Sequence, residues 1–326
     1  MKINTAILSG ACLLAGAVAF SALADYPAPW GVDASTPEKR AALTARLWQH
    51  DAARDTVLYP DGQVPLMKND KPLLFKEHEL DQSNVIISDI NRPQFTFYPA
   101  VGANRPVVVV LPGGGYAQLG WNKEGVEIAE WLNACGCSAA VLLYRAPDQR
   151  EAALCDVQRT IGLLRRDAAK YAIDPHKVGV IGFSAGANLT VRAATNWRQR
   201  AYARIDDADD CSCRPDFQMP VYPWDLLDNW QKIPANGADG KLDLALRPEY
   251  PVDAETPPAF ITQTQDDFCQ SETSIAYYLA LRRAGVPVEM HLYPRGGHGY
   301  GKRALGSPCD HWSEAAALWL KDVISK

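Results

Sequence analysis

The chain has 326 residues, of which 47% are hydrophobic and 22% charged, and its formal net charge is −5. This ordinary globular composition is long enough to bury a large core. Because the net charge is weakly negative and no basic cluster stands out, we exclude nucleic acid as a partner. A neutral or weakly charged ligand is compatible with this net charge.

The N-terminus has the pattern of a secretory signal peptide. Lys2 is followed by an apolar stretch, Ile3 to Leu23, that ends in Ala22-Leu23-Ala24. This small-residue pattern predicts cleavage before Asp25, so residues 1–24 form the signal peptide and the mature protein is periplasmic or secreted. The alternative is an uncleaved membrane anchor, which the short and interrupted stretch disfavours. No other stretch is apolar enough to span a bilayer, so no membrane partner is expected after cleavage.

Seven cysteines follow the predicted cleavage site, and an exported protein can keep disulfides. The odd number leaves at least one thiol without a partner. Neither Cys-x-Cys pair has zinc-finger spacing or accompanying histidines, so no metal is expected. We predict one bridge, Cys269–Cys309, which would tie together the two loops assigned below to an acid and a base. Two buried thiols are the alternative.

The first part of the mature chain, residues 25–56, is predicted to be an N-terminal extension. Thr36 is placed to cap a helix that begins at Pro37 and continues to about Ala53. Two short strands, Val85–Ile87 and Phe95–Tyr98, are expected next at an antiparallel edge of a sheet.

From residue 106 onward, strands alternate with helices. Pro106–Leu111 is apolar at every position, which is typical of a central parallel strand buried on both faces. The alternation predicts an α/β fold over 25–326, as one domain with a mostly parallel sheet and helices on both faces. Helices are expected at about 123–134, 151–170, 272–284 and 311–324, and strands at 138–144, 177–183, 217–222, 259–264 and 288–293.

Residues 197–257 interrupt this alternation of strands and helices. They contain the acidic run Asp206–Asp210, one strand, and a loop rich in proline and asparagine. We interpret the segment as a strand plus an insertion over the site. The acidic run is interpreted as a solvated loop or helix cap in preference to a calcium site.

The chain is organised around Gly182-Phe183-Ser184-Ala185-Gly186, a G-x-S-x-G motif between a short apolar strand and a helix. The two glycines allow strand and helix to pass close together, and Ser184 would be exposed at the carboxyl end of the sheet. The motif predicts a nucleophilic serine, with the N–H of Ala185 placed to bind an oxyanion. A simple Gly-Ser turn is the alternative.

Two later loops carry the partners that such a serine needs. Gln265-Asp266-Asp267 follows one strand and Gly297-His298-Gly299 follows the next. The order Ser, Asp, His and the convergence of strand ends in an open α/β sheet predict that Ser184, Asp267 and His298 meet. Asp267 is preferred over Asp266, and Asp225 is a distant third.

The loop Pro112-Gly113-Gly114-Gly115-Tyr116 directly follows the buried strand. Its glycines expose backbone N–H groups, and those of Gly114 and Gly115 are predicted to complete an oxyanion hole with Ala185. A phosphate-binding loop is disfavoured, because the lysine and the G-x-G-x-x-G spacing are missing.

From about residue 57 to the C-terminus the chain resembles the α/β-hydrolase family of bacterial feruloyl and acetylxylan esterases, close to the dienelactone-hydrolase and hormone-sensitive-lipase-like groups. Two departures matter: Pro112 stands where related lipases carry histidine, and residues 25–56 and 197–257 are individual to this chain. The stretches that carry the resemblance are Pro112–Tyr116, Gly182–Gly186, Arg214–Phe217, Tyr222-Pro223, Asp266-Asp267, Gly285–Pro287 and Gly297–Gly299.

The resemblance implies a serine esterase that needs no cofactor and deacylates plant polysaccharide such as acetylated xylan. Tyr116, Trp121, Trp224 and Tyr300 are candidates to line the mouth and stack on sugar rings, with ordinary packing as the alternative for each. A general short-chain carboxylesterase or lipase is the second interpretation. A catalytically silent hydrolase fold that binds glycans is the third. The acyl group, the alcohol and the oligomeric state are left open.

Overall fold

The computed structural model describes residues 52–69, 74–77, 84–228 and 244–325, with 74–77 described by their backbone alone. The predicted signal peptide and the helix expected from Pro37 lie outside these ranges, except that residues 52–54 form a short 3₁₀ helix. In the ranges described, no helix has the length and apolarity that crossing a bilayer requires.

An eight-stranded sheet forms the centre of the described structure. In chain order the strands of the described residues are β1 (Asp55–Val57), β2 (Leu74–Glu77), β3 (Val85–Ser88), β4 (Gln94–Tyr98), β5 (Arg105–Leu111), β6 (Leu119–Gly120), β7 (Ser138–Leu143), β8 (Ile173–Phe183), β9 (Gln218–Val221), β10 (Ala259–Thr264) and β11 (Val288–Tyr293). The order in the eight-stranded sheet is β1-β4-β7-β5-β8-β9-β10-β11, in which β4 is antiparallel to both neighbours and all other pairs are parallel. The predicted mostly parallel sheet is confirmed.

Both faces of the sheet centre are covered. Every residue of β7, and Val107–Leu111 of β5, is buried. Because successive strand residues point to opposite faces, a strand that is buried throughout must have packing partners on both sides. The last residues of β5 and β8, Leu111 and Phe183, are likewise buried, so both strands end in the interior of the molecule.

The helices alternate with the parallel strands as expected. They are α1 (Glu127–Ala134), α2 (Arg150–Arg166), α3 (Ala168–Tyr171), α4 (Ala185–Thr195), α5 (Glu272–Arg283) and α6 (Trp312–Ile324). A short π-helix over Asn122–Val126 leads into α1, and 3₁₀ turns cover Asp207–Asp209 and Pro308–His311.

One strand assignment is corrected. The segment around Val85–Ile87 was expected to pair at the antiparallel edge of the main sheet. It forms β3 of a separate three-stranded antiparallel sheet, between β2 and β6. The reason is that both edges of β3 are already paired, one with β2 and the other with β6, a two-residue strand beyond the glycine loop. No edge of β3 is left to pair with β4.

The acidic run Asp206–Asp210 serves as a helix cap, as predicted. The Asp206 carboxylate accepts the N–H of Ala208 and caps the 3₁₀ turn. Arg159, a nearly buried residue of α2, donates to both Asp206 and Asp209. These ion pairs fasten the start of the inserted segment to α2.

Strand β8 and helix α4 approach each other at their glycines. A Cβ atom at Gly182 would lie 2.1 Å from the carbonyl oxygen of Gly186. A Cβ atom at Gly186 would lie 2.0 Å from the carbonyl oxygen of Leu111, at the end of β5. These distances leave no room for a side chain, so three backbone segments meet directly around the G-x-S-x-G turn.

We expect Gly186→Ala to lower the free energy of unfolding by about 1–3 kcal/mol or more, because a backbone atom must move to admit the methyl group. Gly120→Ala is the matched control, since its Cβ would meet nothing closer than Asn84 Nδ2 at 3.5 Å. Urea denaturation of both variants measures the difference. Equal stability of the two would contradict the close backbone packing.

Candidate active site

Ser184 occupies the sharp turn between β8 and α4. Its backbone lies in an unusual region, with φ 53° and ψ −115°. Two hydrogen bonds hold it there: Ser184 N donates to Val221 O at 3.1 Å, and Asn188 N donates to Ser184 O at 3.0 Å. A non-glycine residue with positive φ is strained, so this conformation must be imposed by the packing around it.

The structure brings Ser184, His298 and Asp267 into one hydrogen-bonded row. Ser184 Oγ lies 2.7 Å from His298 Nε2. On the other side of the ring, His298 Nδ1 lies 2.8 Å and 2.9 Å from the two carboxylate oxygens of Asp267. A histidine held this way can accept a proton from the hydroxyl at Nε2 while the carboxylate fixes the tautomer through Nδ1–H.

The neighbouring acids Asp267 and Asp266 have different partners. The side chain of Asp267 is buried and also accepts from Gln263 Nε2 at 2.9 Å and from the N–H of Cys269 at 2.7 Å. Asp266 accepts instead from the N–H groups of Gly296 and Gly297, at 3.2 and 2.8 Å. Asp267 therefore contacts the imidazole, whereas Asp266 fastens the loop that carries it.

Asp225, the third candidate acid, lies elsewhere in the charge network. Its carboxylate pairs with Arg150 at 3.1 Å and with Arg247. Arg150 in turn stacks over the rings of Tyr116 and Trp224, at 5.1 and 4.9 Å. Asp225 thus joins the inserted segment to helix α2, and the carboxylate that contacts His298 is that of Asp267.

The ring of His298 contacts two aromatic side chains. Tyr222 packs edge-on against it with the ring centres 5.0 Å apart, and Phe268 packs on it at 4.7 Å. Tyr222 is buried, whereas Phe268 is 72% exposed. The imidazole therefore contacts one buried ring and one exposed ring.

The predicted oxyanion groups have N–H donors with no acceptor in the part of the chain that the structure describes. They are the backbone amides of Gly114, Gly115 and Ala185. Ala185 is the first residue of α4, and a helix leaves its first amides without intrahelical acceptors. Gly114 has φ 139°, and a Cβ there would lie 2.0 Å from Gln118 O, so only glycine fits.

Glu124 is a site residue that the sequence reasoning missed. This buried carboxylate accepts the N–H of Gly113 at 2.7 Å through one oxygen and the hydroxyl of Tyr222 at 2.7 Å through the other. Burial raises the pKa of Tyr222 well above its usual range, so the hydroxyl stays protonated and can donate. The same Tyr222 oxygen accepts the N–H of Gly301 at 3.0 Å. Glu124 therefore links the glycine loop to the histidine loop.

Asn188, four residues after the serine, was also missed. Its side chain is buried, accepts from Tyr116 OH at 2.9 Å, and donates to Tyr250 OH at 2.8 Å and to Trp224 O at 3.0 Å. It connects helix α4 to the glycine loop and to the inserted segment. A polar side chain in the helix that follows the G-x-S-x-G turn was the available signal.

The predicted lining residues Tyr116, Trp121 and Tyr300 are corrected. Their exposed fractions are 1%, 3% and 2%, so they pack in the core and offer no open ring face to a sugar. Trp224 is partly exposed and lies beside the turn at Ser184, where its backbone N–H donates to Ser184 O at 3.4 Å. Of the four, Trp224 is the one that a ligand at Ser184 could reach.

The predicted disulfide is also corrected, because Cys269 and Cys309 are both free thiols. Cys269 Sγ faces His298 Nε2 at 3.8 Å, whereas Cys309 Sγ packs beneath Gly296. Burial, together with the charge of Asp267, raises the pKa of the Cys269 thiol. Within the described residues, Asp267, Cys269 and His298 are also the group whose donor atoms could surround a metal ion, but here they are occupied by hydrogen bonds to one another and to Ser184.

Comparisons with known proteins agree with this architecture. A family model described as alpha/beta hydrolase fold matches residues 108–302. An acetylxylan esterase of Xylanibacter ruminicola is 29% identical over 250 residues, which cover 73% of this chain and 50% of that protein. The chain therefore spans half the length of this relative. The carboxylesterase NlhH of Mycobacterium tuberculosis is 28% identical over 232 residues, which cover 64% of this chain and 71% of that protein.

Among solved structures, an acetyl ester-xyloside bifunctional hydrolase from Caldicellulosiruptor lactoaceticus superposes with a TM-score of 0.66 at 29% identity. The match covers 82% of this chain and 96% of that one. The likeness therefore includes most of the described residues.

The roles of the two neighbouring acids can be separated by NMR. We expect the proton on His298 Nδ1 to resonate far downfield in the unaltered protein, because a carboxylate accepts it. Asp267→Asn should move this signal upfield, and Asp266→Asn should leave it in place. The reverse pattern would show that Asp266 is the partner of the imidazole.

Proposed function

Because the chain belongs to the α/β hydrolase fold family, we propose that it hydrolyses carboxylic esters with Ser184 as nucleophile, His298 as general base and then general acid, and Asp267 as the carboxylate that orients His298. The observation that carries the proposal is the row of hydrogen bonds from Ser184 Oγ through the imidazole to Asp267, at 2.7 and 2.8 Å. The row stands at a strained turn beside three backbone amides. Such an arrangement suits acyl transfer through a covalent intermediate.

The first half of the proposed reaction forms an acyl-enzyme. Ser184 Oγ attacks the ester carbonyl carbon while its proton passes to His298 Nε2. The amides of Gly114, Gly115 and Ala185 stabilise the negative charge that develops on the carbonyl oxygen. The carbon–oxygen bond to the alcohol then breaks, and the alcohol oxygen takes the proton from Nε2.

The second half releases the acid. Water gives a proton to His298 Nε2 and attacks the acyl carbon, and the tetrahedral intermediate collapses with return of the proton to Ser184 Oγ. Asp267 stabilises the imidazolium in both halves. Glu124 and Tyr222 act as positioning residues, since they fix the glycine loop relative to the histidine loop before substrate arrives. The reaction needs no cofactor.

We propose acylated plant carbohydrate, such as acetylated xylan, as the substrate. The acetylxylan esterase and the acetyl ester-xyloside hydrolase named above support this class. A periplasmic or secreted location, proposed from the N-terminal pattern, would place the enzyme where such polymers or their fragments occur. The weakly acidic net charge of −5 suits a neutral substrate.

A second candidate is a general short-chain carboxylesterase, which the likeness to carboxylesterase NlhH favours. The two candidates share the same chemistry at Ser184 and differ in the alcohol that they prefer. The third candidate is a glycan-binding protein without activity. The hydrogen-bonded row of Ser184, His298 and Asp267 disfavours it, because binding alone does not require such a row.

Side-by-side rates on acetylated xylo-oligosaccharides and on cyclohexyl acetate, both acetates of unactivated secondary alcohols, test the proposal. We expect turnover of both, with the higher kcat/KM on the sugar ester. Ser184→Ala should lower kcat by at least about 10⁴-fold with an unchanged circular dichroism spectrum. A preference for cyclohexyl acetate would favour the general esterase. Binding of the sugar without turnover of either ester would leave the glycan-binding interpretation.

A further inference from the structure

We propose that the exposed ring of Phe268 is the platform on which the sugar of the leaving alcohol stacks. The inference rests on the proposed function and adds a binding site on the alcohol side of the ester. It assigns the role that was expected of Tyr116, Trp121 and Tyr300 to a residue that the sequence reasoning did not consider.

Phe268 is unusual among the aromatic residues of the described chain. Its side chain is 72% exposed, and no other aromatic residue belongs to the exposed large hydrophobic side chains in the described ranges. A single exposed apolar side chain is common on a protein surface and by itself indicates nothing. Here the exposed ring packs directly on His298, with the ring centres 4.7 Å apart and the planes inclined by 53°.

The backbone holds this ring outward. Phe268 lies in a turn in which Gln270 N donates to Asp267 O at 3.0 Å, and its two neighbours, Asp267 and Cys269, are both buried. The N–H of Cys269 also donates to the Asp267 carboxylate at 2.7 Å. Because both flanking residues are fixed in the interior, the backbone that carries the phenyl ring is preorganised, and the turn does not have to become ordered when a ligand covers the ring.

The chemistry of the reaction places the alcohol beside this ring. The leaving oxygen must come within about 3 Å of the His298 nitrogen that protonates it. The sugar ring attached to that oxygen then lies on the imidazole side of the scissile bond, against Phe268, while the carbonyl oxygen faces the oxyanion amides. Tyr222, the other aromatic side chain packed on His298, is buried, so Phe268 is the ring beside the imidazole that an alcohol in solvent can reach.

A pyranose ring matches such a surface. Its C–H groups form an apolar face that packs on a phenyl ring, and its hydroxyl groups at the edge stay in water. The platform is open to solvent, so it can hold one residue within a longer chain without enclosing the polymer. A long alkyl alcohol would gain more from an enclosed apolar channel than from one exposed ring.

The test compares three acetate esters on Phe268→Ala: an acetylated xylo-oligosaccharide, ethyl acetate and hexyl acetate. We expect kcat/KM for the sugar ester to fall roughly tenfold, with little change for the two alkyl esters. Phe268→Trp should keep the sugar rate. Leu318→Ala, which removes a similarly exposed apolar side chain from helix α6, is the matched control and should change none of the rates.

The contrary outcomes are distinct. An equal fall for all three esters would mean that Phe268 only positions His298. A fall for hexyl acetate as large as for the sugar ester would mean an unspecific apolar contact. Either result overturns the platform, whereas absence of turnover on every ester by the unaltered protein would overturn the proposed function.

Binding measured without turnover separates the two proposals further. We expect a xylo-oligosaccharide without acetyl groups to receive saturation-transfer NMR signal at its ring C–H protons from Ser184→Ala, and to lose it with Ser184→Ala/Phe268→Ala. Equal transfer from both variants would overturn the platform even if the ester rates establish the esterase.

Discussion

The strained turn at Ser184 is the constraint on which the site depends. A residue with φ 53° costs about 1–3 kcal/mol, which the surrounding backbone must offset. It does so by direct contact, because Gly182, Gly186 and the carbonyl of Leu111 meet with no side chain between them. The ends of β5 and β8 are thus locked together. The position of Ser184 relative to the glycine loop follows from this backbone contact and not from flexible side chains.

The other half of the site is fixed by strand register and two loop contacts. Thr264 and Tyr293 are paired at the ends of β10 and β11, so the acid loop and the histidine loop begin side by side. Asp266 then binds the amides of Gly296 and Gly297, and the hydroxyl of Thr264 donates to Gly297 O at 2.6 Å. Glu124 and Tyr222 connect this half to the glycine loop. Each reacting group is therefore held by hydrogen bonds to a neighbouring loop.

Much of this architecture could be predicted because its signals are local. Apolar runs such as Pro106–Leu111 indicate buried parallel strands, and the glycines around Ser184 indicate the turn. The features that could not be predicted depend on tertiary contact. Asp266 and Asp267 are adjacent and chemically identical, and their roles differ only through which loop each faces. In the sequence Glu124 resembles any acidic residue at the start of a helix. Phe268 and Tyr300 differ in exposure, and nothing in the sequence indicates how exposed an aromatic side chain is.

The central claim is that Ser184 is activated by His298. Mass spectrometry of the purified protein after treatment with a fluorophosphonate probe tests it most directly. The account predicts a single adduct on Ser184 in the unaltered protein, and no adduct in His298→Ala under the same conditions. An unmodified Ser184 in a folded sample, or equal modification of the two proteins, would contradict the account.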